Sequence, residues 1–239
     1  MLKRKLNSMI SNWKGFDYKI DQKVPTSYLL LLVLNRSLML VYGKISGVKN
    51  KGLFFLSTKT VIKARSSFSV GRTVSIAAGC YIDALSKQGV KFGDNVSMGI
   101  NCRIEGTGNL QHLGKGMRVG NNVGLGYNSF YGCSGGIEIG DDTIIGNYVS
   151  FHSENHVFDD LNAPIRTQGV SHRGIVIGRN CWIGAKATIL DGAIVEHGCV
   201  IAAGAVLKAG IYSAHGIYGG VPARLLRYRE SETEVYHGR

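Results

Sequence analysis

Aliphatic and aromatic residues return along this chain with a period of six. Ile177, Ile183, Ile189, Val195, Ile201 and Leu207 follow one another at that spacing without interruption. Four places after each of the first five stands a small residue: Cys181, Ala187, Ala193, Cys199 and Ala205. Shorter runs of the same kind occur upstream, at Val70, Ile76 and Ile82, at Phe92, Met98 and Ile104, at Val119, Leu125 and Tyr131, and at Ile139, Ile145 and Phe151. A period of six is neither the 3.6 of a helix nor the simple alternation of a strand. It describes a short extended segment, a bend, and the same again. With the aliphatics inward, three such sides close a triangular coil, and successive coils stack as parallel strands. Gly93, Gly120, Gly140, Gly146, Gly178 and Gly184 directly follow an aliphatic, where corners bring backbones together. Asp94, Asn95, Asn121, Asn122, Asp141 and Asp142 come next, in positions suited to turn geometry. The expected fold class is all-β, a parallel β-helix of six-residue repeats.

The rhythm fails between Phe151 and Ile177, whose separation of 26 residues is not a multiple of six. An extruded loop is therefore expected over 152–174. Its sequence, FHSENHVFDDLNAPIRTQG from Phe151, gathers two histidines and three carboxylates. Loops mounted on a rigid scaffold are where chemistry tends to sit. A neutral imidazole suits the removal of a proton from a hydroxyl near neutral pH. Glu154, two residues before His156, is the candidate to orient that ring. Asp159 and Asp160 read as solvated loop carboxylates. Trp182 stands at an outward-facing repeat position, where an exposed indole marks a binding surface or a subunit contact.

The remaining pattern divides the chain into an N-terminal helical, basic extension (1–60), the β-helix (61–212) and a C-terminal segment (213–239). The apolar run YLLLLVLNRSLMLVYG, Tyr28 to Gly43, reads as a helix interrupted by Asn35 and Arg36. It is too short and too interrupted to cross a bilayer, and is expected to pack on the body or on a neighbouring subunit. Peripheral membrane contact is the lesser alternative. Without a small-residue cleavage site after it, the expected location is the cytoplasm, with peripheral contact at the inner membrane as a variant. Composition narrows the picture: 33 glycines beside 3 prolines fit repeated tight turns, and a net charge of +12 favours an acidic partner. No helix-turn-helix, arginine-rich arm or aromatic RNA-binding signature is present, so nucleic acid is not expected. Cys80, Cys102, Cys181 and Cys199 fall on inward positions and read as core fillers, whereas Cys133, outside the register, reads as a loop thiol. No cysteine pattern points to a metal.

The stretches IGDDTIIGNYVSFHSENH, IGRNCWIGAKATILDGAIVEHGCVIAAGAVLK and GGVPARLLR resemble the hexapeptide-repeat acyltransferases, nearest the galactoside, maltose and polysaccharide O-acetyltransferases. The resemblance runs from about Val61 to Arg227. It implies a left-handed parallel β-helix, a homotrimer with active sites between subunits, and acetyl-CoA as donor with no metal required. It places the catalytic histidine eighteen positions, counted inclusively, from the Ile-Gly opening the preceding coil, which is His156 when counted from Ile139. It assigns the oxyanion donor to the backbone amide of Ala185 and a tunnel-lining role to Trp182. It also places the donor along Gly184, Ala185, Ala203 and Gly204, with Lys208, Arg224 and Arg227 at its phosphates. The acceptor segment corresponds to LGYNSFYGCSG, with Tyr127, Asn128 and Trp182 toward the sugar. Gly126 and Ser134 stand where galactoside relatives carry Asn and Asp, a departure from the galactoside pattern.

The resulting expectation is acetyl-CoA-dependent O-acetylation of a sugar hydroxyl, on a bacterial surface polysaccharide, by His156 acting as base. N-acetylation of an amino sugar and acetylation of a xenobiotic are the enzymatic alternatives; the former usually needs a nucleotide-binding domain, and no glycine fingerprint for one is present. A non-enzymatic or metal-binding β-helix is the alternative of another class. It would need three zinc-binding histidines across a subunit boundary, and His152, His156 and His172 share one break without that spacing.

Overall fold

The computed structural model describes residues 2–14 and 17–230. Two helices, α1 (Leu2–Lys14) and α2 (Thr26–Ile45), precede a prism of three parallel sheets. Each turn of chain lays one short strand on the first, second and third sheet in order, as Met117–Val119, Gly124–Leu125 and Phe130–Gly132 do. Successive turns pair in register: Met117 stands beside Val90 in the turn before and Ile137 in the turn after. Among the described residues the first sheet has 8 strands and the third 7. The second has 9, because Arg224–Tyr228 folds back antiparallel on Gly216–Gly219 and covers its last edge.

The six-residue rule sets this architecture through burial. Ile177, Ile183, Ile189, Val195, Ile201 and Leu207 are each at most 1% exposed, and burial of one such side chain stabilises by about 1.5–3 kcal/mol. Corners require glycine where coils touch. A Cβ on Gly178 would stand 2.6 Å from the His197 nitrogen, and one on Gly184 2.5 Å from that of Ala203. The second residue of each Asn/Asp pair is left-handed, with φ of 56° at Asn95 and Asn122 and 59° at Asp142. Their side chains also form a ladder. Asn95 Nδ2 donates to Asn122 Oδ1 at 3.0 Å, and Asn122 Nδ2 to Asp142 Oδ1 at 2.9 Å.

Several boundaries differ from the sequence reading. The prism starts before residue 61, at Lys49–Asn50 and Phe54–Leu56, the first two sides of the turn that Val61–Lys63 completes. Phe55, facing outward there, is buried beneath α2, which hides the alternation that marks the later turns. The C-terminal segment is not separate either, since Gly216–Gly219 is a wall strand with Tyr218 buried; the tail from 231 lies outside the described residues. Cys133 is not a loop thiol. It is fully buried just after Phe130–Gly132, its Sγ donates to the Glu105 carbonyl at 3.2 Å, and burial pushes the thiol up to about 12. Cys80, Cys102, Cys181 and Cys199 are buried core fillers, as expected.

The larger correction concerns α2. It is 20 residues long and, by length and composition, apolar enough to cross a membrane, whereas the sequence reading made it too short and interrupted. The interruption is turned away from the helix's outer surface. Arg36 Nη1 donates to Ser75 Oγ at 2.6 Å, and its guanidinium lies 5.3 Å from the centre of the Phe55 ring. Only Leu29, Met39 and Gly43 are buried, so this helix lies on the body but is not enclosed by it.

Candidate functional site

The break in the repeat leaves the prism at the edge between third and first sheets. Ser150–His152 is the last strand before it and Ile175–Ile177 the first after it, so His152 stays in the wall and the excursion begins at Ser153. The segment is ordered by its own bonds. Asn155–His156 pairs antiparallel with Val170–Ser171, His156 opposite Val170. Beyond this hairpin Gln168 clamps the tip: its Nε2 donates to the carbonyls of Asp160 (2.8 Å) and Ala163 (2.9 Å), and its Oε1 accepts from the Asp160 amide at 3.1 Å. Asp160 turns its carboxylate to the Asn162 amide, a local turn in place of a merely solvated charge.

Two buried side chains that sequence reasoning missed pin the ends of this excursion. Ser153 Oγ donates to the Gly132 carbonyl at 2.7 Å and accepts from the Gly135 amide at 3.0 Å. Asp191, 4% exposed, accepts from the amides of Arg173 (2.9 and 3.0 Å) and Gly174 (2.8 Å). The available signal was a carboxylate just after the third-sheet strand Thr188–Leu190, one turn above the break.

His156 is exposed, and its ring forms no hydrogen bond or ion pair among the described residues. Glu154 does not orient it. The Glu154 carboxylate approaches Gly108, standing 3.4 Å from where a Cβ on that glycine would lie. Gly108 belongs to a second excursion, between Arg103–Glu105 and Met117–Val119, which leaves by the same edge.

The other predicted residues collect on a different edge, between second and third sheets. Tyr127 and Asn128, Gly184 and Ala185, and Ala203 and Gly204 lie in the turns that link those sheets in three of four successive coils, Asn147 occupying the second of the four. Backbone amides there change character along the edge. The Tyr127 amide donates to Asn147 Oδ1 at 3.0 Å. Where Asn147 would have its own counterpart the next coils carry alanine, which has no acceptor. The Ala185 and Ala203 amides accordingly donate to no partner among the described residues. Gly204 ties one corner to the next, its amide donating to the Ala185 carbonyl of the coil before at 2.9 Å. Asn128 is a rung of the corner, its Oδ1 accepting from Asn101 Nδ2 at 3.2 Å, while Tyr127 is exposed.

Trp182 lies outward on the second sheet beside this edge, in register with Ile144 on one side and Val200 on the other. Trp182 and Ile144 are 56% and 61% exposed, an apolar strip on an otherwise open face. Arg224 and Arg227, both exposed, stand on the strand that extends that sheet. Lys208 is set apart, since it follows Val206–Leu207 and so falls on the His156 edge of the prism. One chain thus carries the imidazole on one edge and the open amides on another. Among the described residues no group of three or more His, Cys, Asp or Glu side chains is placed to hold a metal ion.

Comparison with known proteins agrees with this architecture. Residues 174–209 match the family described as bacterial transferase hexapeptide (six repeats), and 116–149 match the hexapeptide repeat of succinyl-transferase. A Mycobacterium tuberculosis protein, "Probable acetyltransferase Rv3034c", is 32% identical over 79 residues, which are 33% of this chain and 26% of that protein. Among solved structures, a mutant of AntD, an N-acyltransferase from Bacillus cereus in complex with dTDP and coenzyme A, superposes with a TM-score of 0.55 at 18% identity, over 81% of this chain and 90% of that one. UDP-N-acetylglucosamine O-acyltransferase from Moraxella catarrhalis gives 0.52 at 15% identity, over 72% and 60%. At such identities these two likenesses speak for the fold alone. Period, corners, sheet order and matched repeats converge: the chain carries hexapeptide repeats and has the left-handed parallel β-helix fold.

Proposed function

We propose that the protein is an acyltransferase that uses acetyl-CoA to acetylate a sugar hydroxyl, on a surface polysaccharide, with His156 as general base. The observation that carries this reading is the pairing of two features on one scaffold. An exposed imidazole is held on an ordered hairpin, and a row of unpartnered amides at Ala185 and Ala203 runs beside the exposed Trp182. The repeats that surround both match bacterial transferase families, the matched relative is described as an acetyltransferase, and AntD was crystallised with coenzyme A.

The chemistry follows from what these groups can do. The donor supplies a thioester carbonyl. His156 takes the proton of the acceptor hydroxyl as its oxygen attacks that carbonyl, and later returns the proton to the departing thiolate, so the products are an ester and a free thiol. The Ala185 N–H, having no other acceptor, donates to the oxyanion between these events. Open amides, small residues and the cations of Arg224 and Arg227 suit an extended, phosphate-bearing donor. Because imidazole and amide row occupy different edges, the proposed site is shared. The hairpin of one copy faces the second–third edge of the next, and such head-to-tail contacts close a ring around the three-sided prism as a homotrimer.

The test is thiol release from acetyl-CoA with a panel of glycans, amino sugars and nucleotide sugars. His156→Ala is expected to lower kcat/KM for the true acceptor by about 10²–10⁴-fold with no change in melting temperature, since the exposed ring makes no hydrogen bond or ion pair among the described residues. Turnover that survives the substitution sinks the assignment of the base. A preference for amine over hydroxyl acceptors replaces O-transfer by N-transfer.

A further inference from the structure

The outer face of α2 reverses the usual arrangement of a surface helix. A helix on a water-soluble body turns its apolar stripe inward and its charges outward. Here Arg36 points inward to Ser75 and Phe55, while Leu30, Leu31, Leu34, Leu38, Val41 and Ile45 are 51–72% exposed. At about 1.5 Å per residue the helix presents this face over roughly 30 Å. A contiguous apolar surface of that extent calls for an apolar phase to meet it.

The charge distribution identifies that phase. Residues 1–82 carry fourteen Lys and Arg against two Asp and no Glu, a balance of +12 equal to that of the whole chain; residues 83–239 carry fourteen of each sign. Between Asp21 and Asp83 there is no acidic residue at all. Exposed cations stand before and after α2, at Lys23 and Lys44, and at the two corners that bound the second sheet in the first turn, Lys51 and Lys59; Lys49 and Lys63 lie on the adjoining sheets of the same turn. α1 adds Arg4 and Lys5, and its Asn7 and Ser11 side chains tie it to the Ile20 and Tyr18 amides ahead of α2. The net excess of positive charge thus lies on the first two coils of the prism and the helices before them, and the first coil is five strand steps along the second sheet from Trp182.

We propose that α2, flanked by these cations, is a docking surface for an anionic lipid bilayer. α2 lies in the plane of the membrane, its outer face among the acyl chains and the lysines among the headgroups. It lies on the bilayer and not across it, because its inner side is engaged by the prism: Arg36 bonds to Ser75 on the second sheet, and Leu29, Met39 and Gly43 are buried on that side. A Cβ on Gly43 would stand within 1.9 Å of the Phe54 carbonyl oxygen, so helix and strand are in backbone contact. Apolar insertion and attraction to anionic headgroups add in such an anchor.

Flotation of the full chain with vesicles tests the idea, comparing phosphatidylcholine alone with vesicles holding about 30% phosphatidylglycerol. The protein is expected to float with the anionic vesicles, to stay behind with the neutral ones, and to lose about tenfold or more in partition at high salt. Leu31→Ser with Leu34→Ser, and separately Lys49→Glu with Lys51→Glu, should each lower partition at least tenfold while circular dichroism and melting temperature hold. Transfer to a water-soluble acceptor should be unchanged in both, so loss of docking and loss of the proposed activity are separable. Failure of the wild type to float overturns the proposal. So does a leucine variant that floats normally but changes oligomeric state in sedimentation velocity, because the face is then an interface between copies.

Discussion

Asp191→Ala examines whether the hairpin carrying His156 must be held for turnover. In the native chain both carboxylate oxygens face the loop's return point, accepting at 2.9 and 3.0 Å from Arg173 and at 2.8 Å from Gly174. The group is 4% exposed, so water does not replace it freely. Hydrogen bonds to a charged group contribute about 1.5–3 kcal/mol net, and an amide left buried without a partner costs a similar amount. Alanine removes the acceptors for two amides, so the return point loses roughly 3 kcal/mol, about two powers of ten in the ordered population. The prism below is bound by its own ladder and core, and so the loss is local to 153–174. Two measurements read it. Amide exchange at Val170 and Ser171 should quicken relative to Ile175–Ile177, and kcat/KM for acyl transfer should fall about 10–10²-fold with donor KM little changed. Asp191→Asn, which keeps one acceptor oxygen, should recover part of both. Unchanged exchange at Val170 and Ser171 would show that these bonds do not order the hairpin. Faster exchange with kcat/KM within twofold of wild type would show that its order does not govern catalysis.

Other outcomes follow from the corners and the core. Gly184→Ala sets a Cβ 2.5 Å from the Ala203 nitrogen and 2.7 Å from the Ile201 carbonyl oxygen, overpacking that costs about 1–3 kcal/mol and is read as a fall of several degrees in melting temperature. Gly204→Ala meets no atom within 4 Å at φ +71°, so it carries only the left-handed backbone cost of about 1–2 kcal/mol and should melt above the Gly184 variant. Tyr131→Phe should leave stability unchanged or raise it by up to about 1 kcal/mol, because the buried hydroxyl has no hydrogen-bond partner among the described residues; a lower melting temperature refutes this. Burial pushes the Cys133 thiol up to about 12 and Cys181 up to about 11 from 9.0. The stability these neutral thiols contribute is full below pH about 9 and is lost as pH rises toward the folded values. Both should resist alkylation at pH 8 until the chain is unfolded, and rapid labelling of the native protein would contradict their burial.

The prism was legible because each repeat satisfies one local rule: the aliphatic, the small residue and the corner glycine are all required within six positions. The rule blurred where tertiary contact replaced repetition. Phe55 faces outward yet is covered by α2, and this hid the first turn from a reading based on alternation. His156 could be located from the break, but Asp191 and Ser153 could not be assigned, since an inward Asp or Ser has no signature until its amide partners are known. Glu154 shows the converse error. Nearness in sequence to His156 said nothing about the second excursion, whose Gly108 lies against it.

Separation of duties along the prism axis follows from the same physics. A parallel coil makes every interior position equivalent, so chemistry can enter only where equivalence is broken: at an extruded loop, at a corner whose side-chain ladder stops, or at an end. The Asn147 to Ala185 step is such a stop, exposing amides that the preceding coil caps. The N-terminal end is another, where the whole net charge and the outward apolar face of α2 coincide. If α2 rests on a membrane, the second sheet beneath it lies along the bilayer, and successive coils advance parallel to the surface by one strand spacing of about 4.8 Å. On the first sheet the coil that emits the hairpin lies four strand steps from Lys49–Asn50, roughly 20 Å along the surface from that first turn. The hairpin leaves by the edge between third and first sheets, opposite the second sheet, so an acceptor tethered to the same bilayer must reach across the thickness of the prism. Shortening its tether should abolish transfer on vesicles and leave transfer in solution intact.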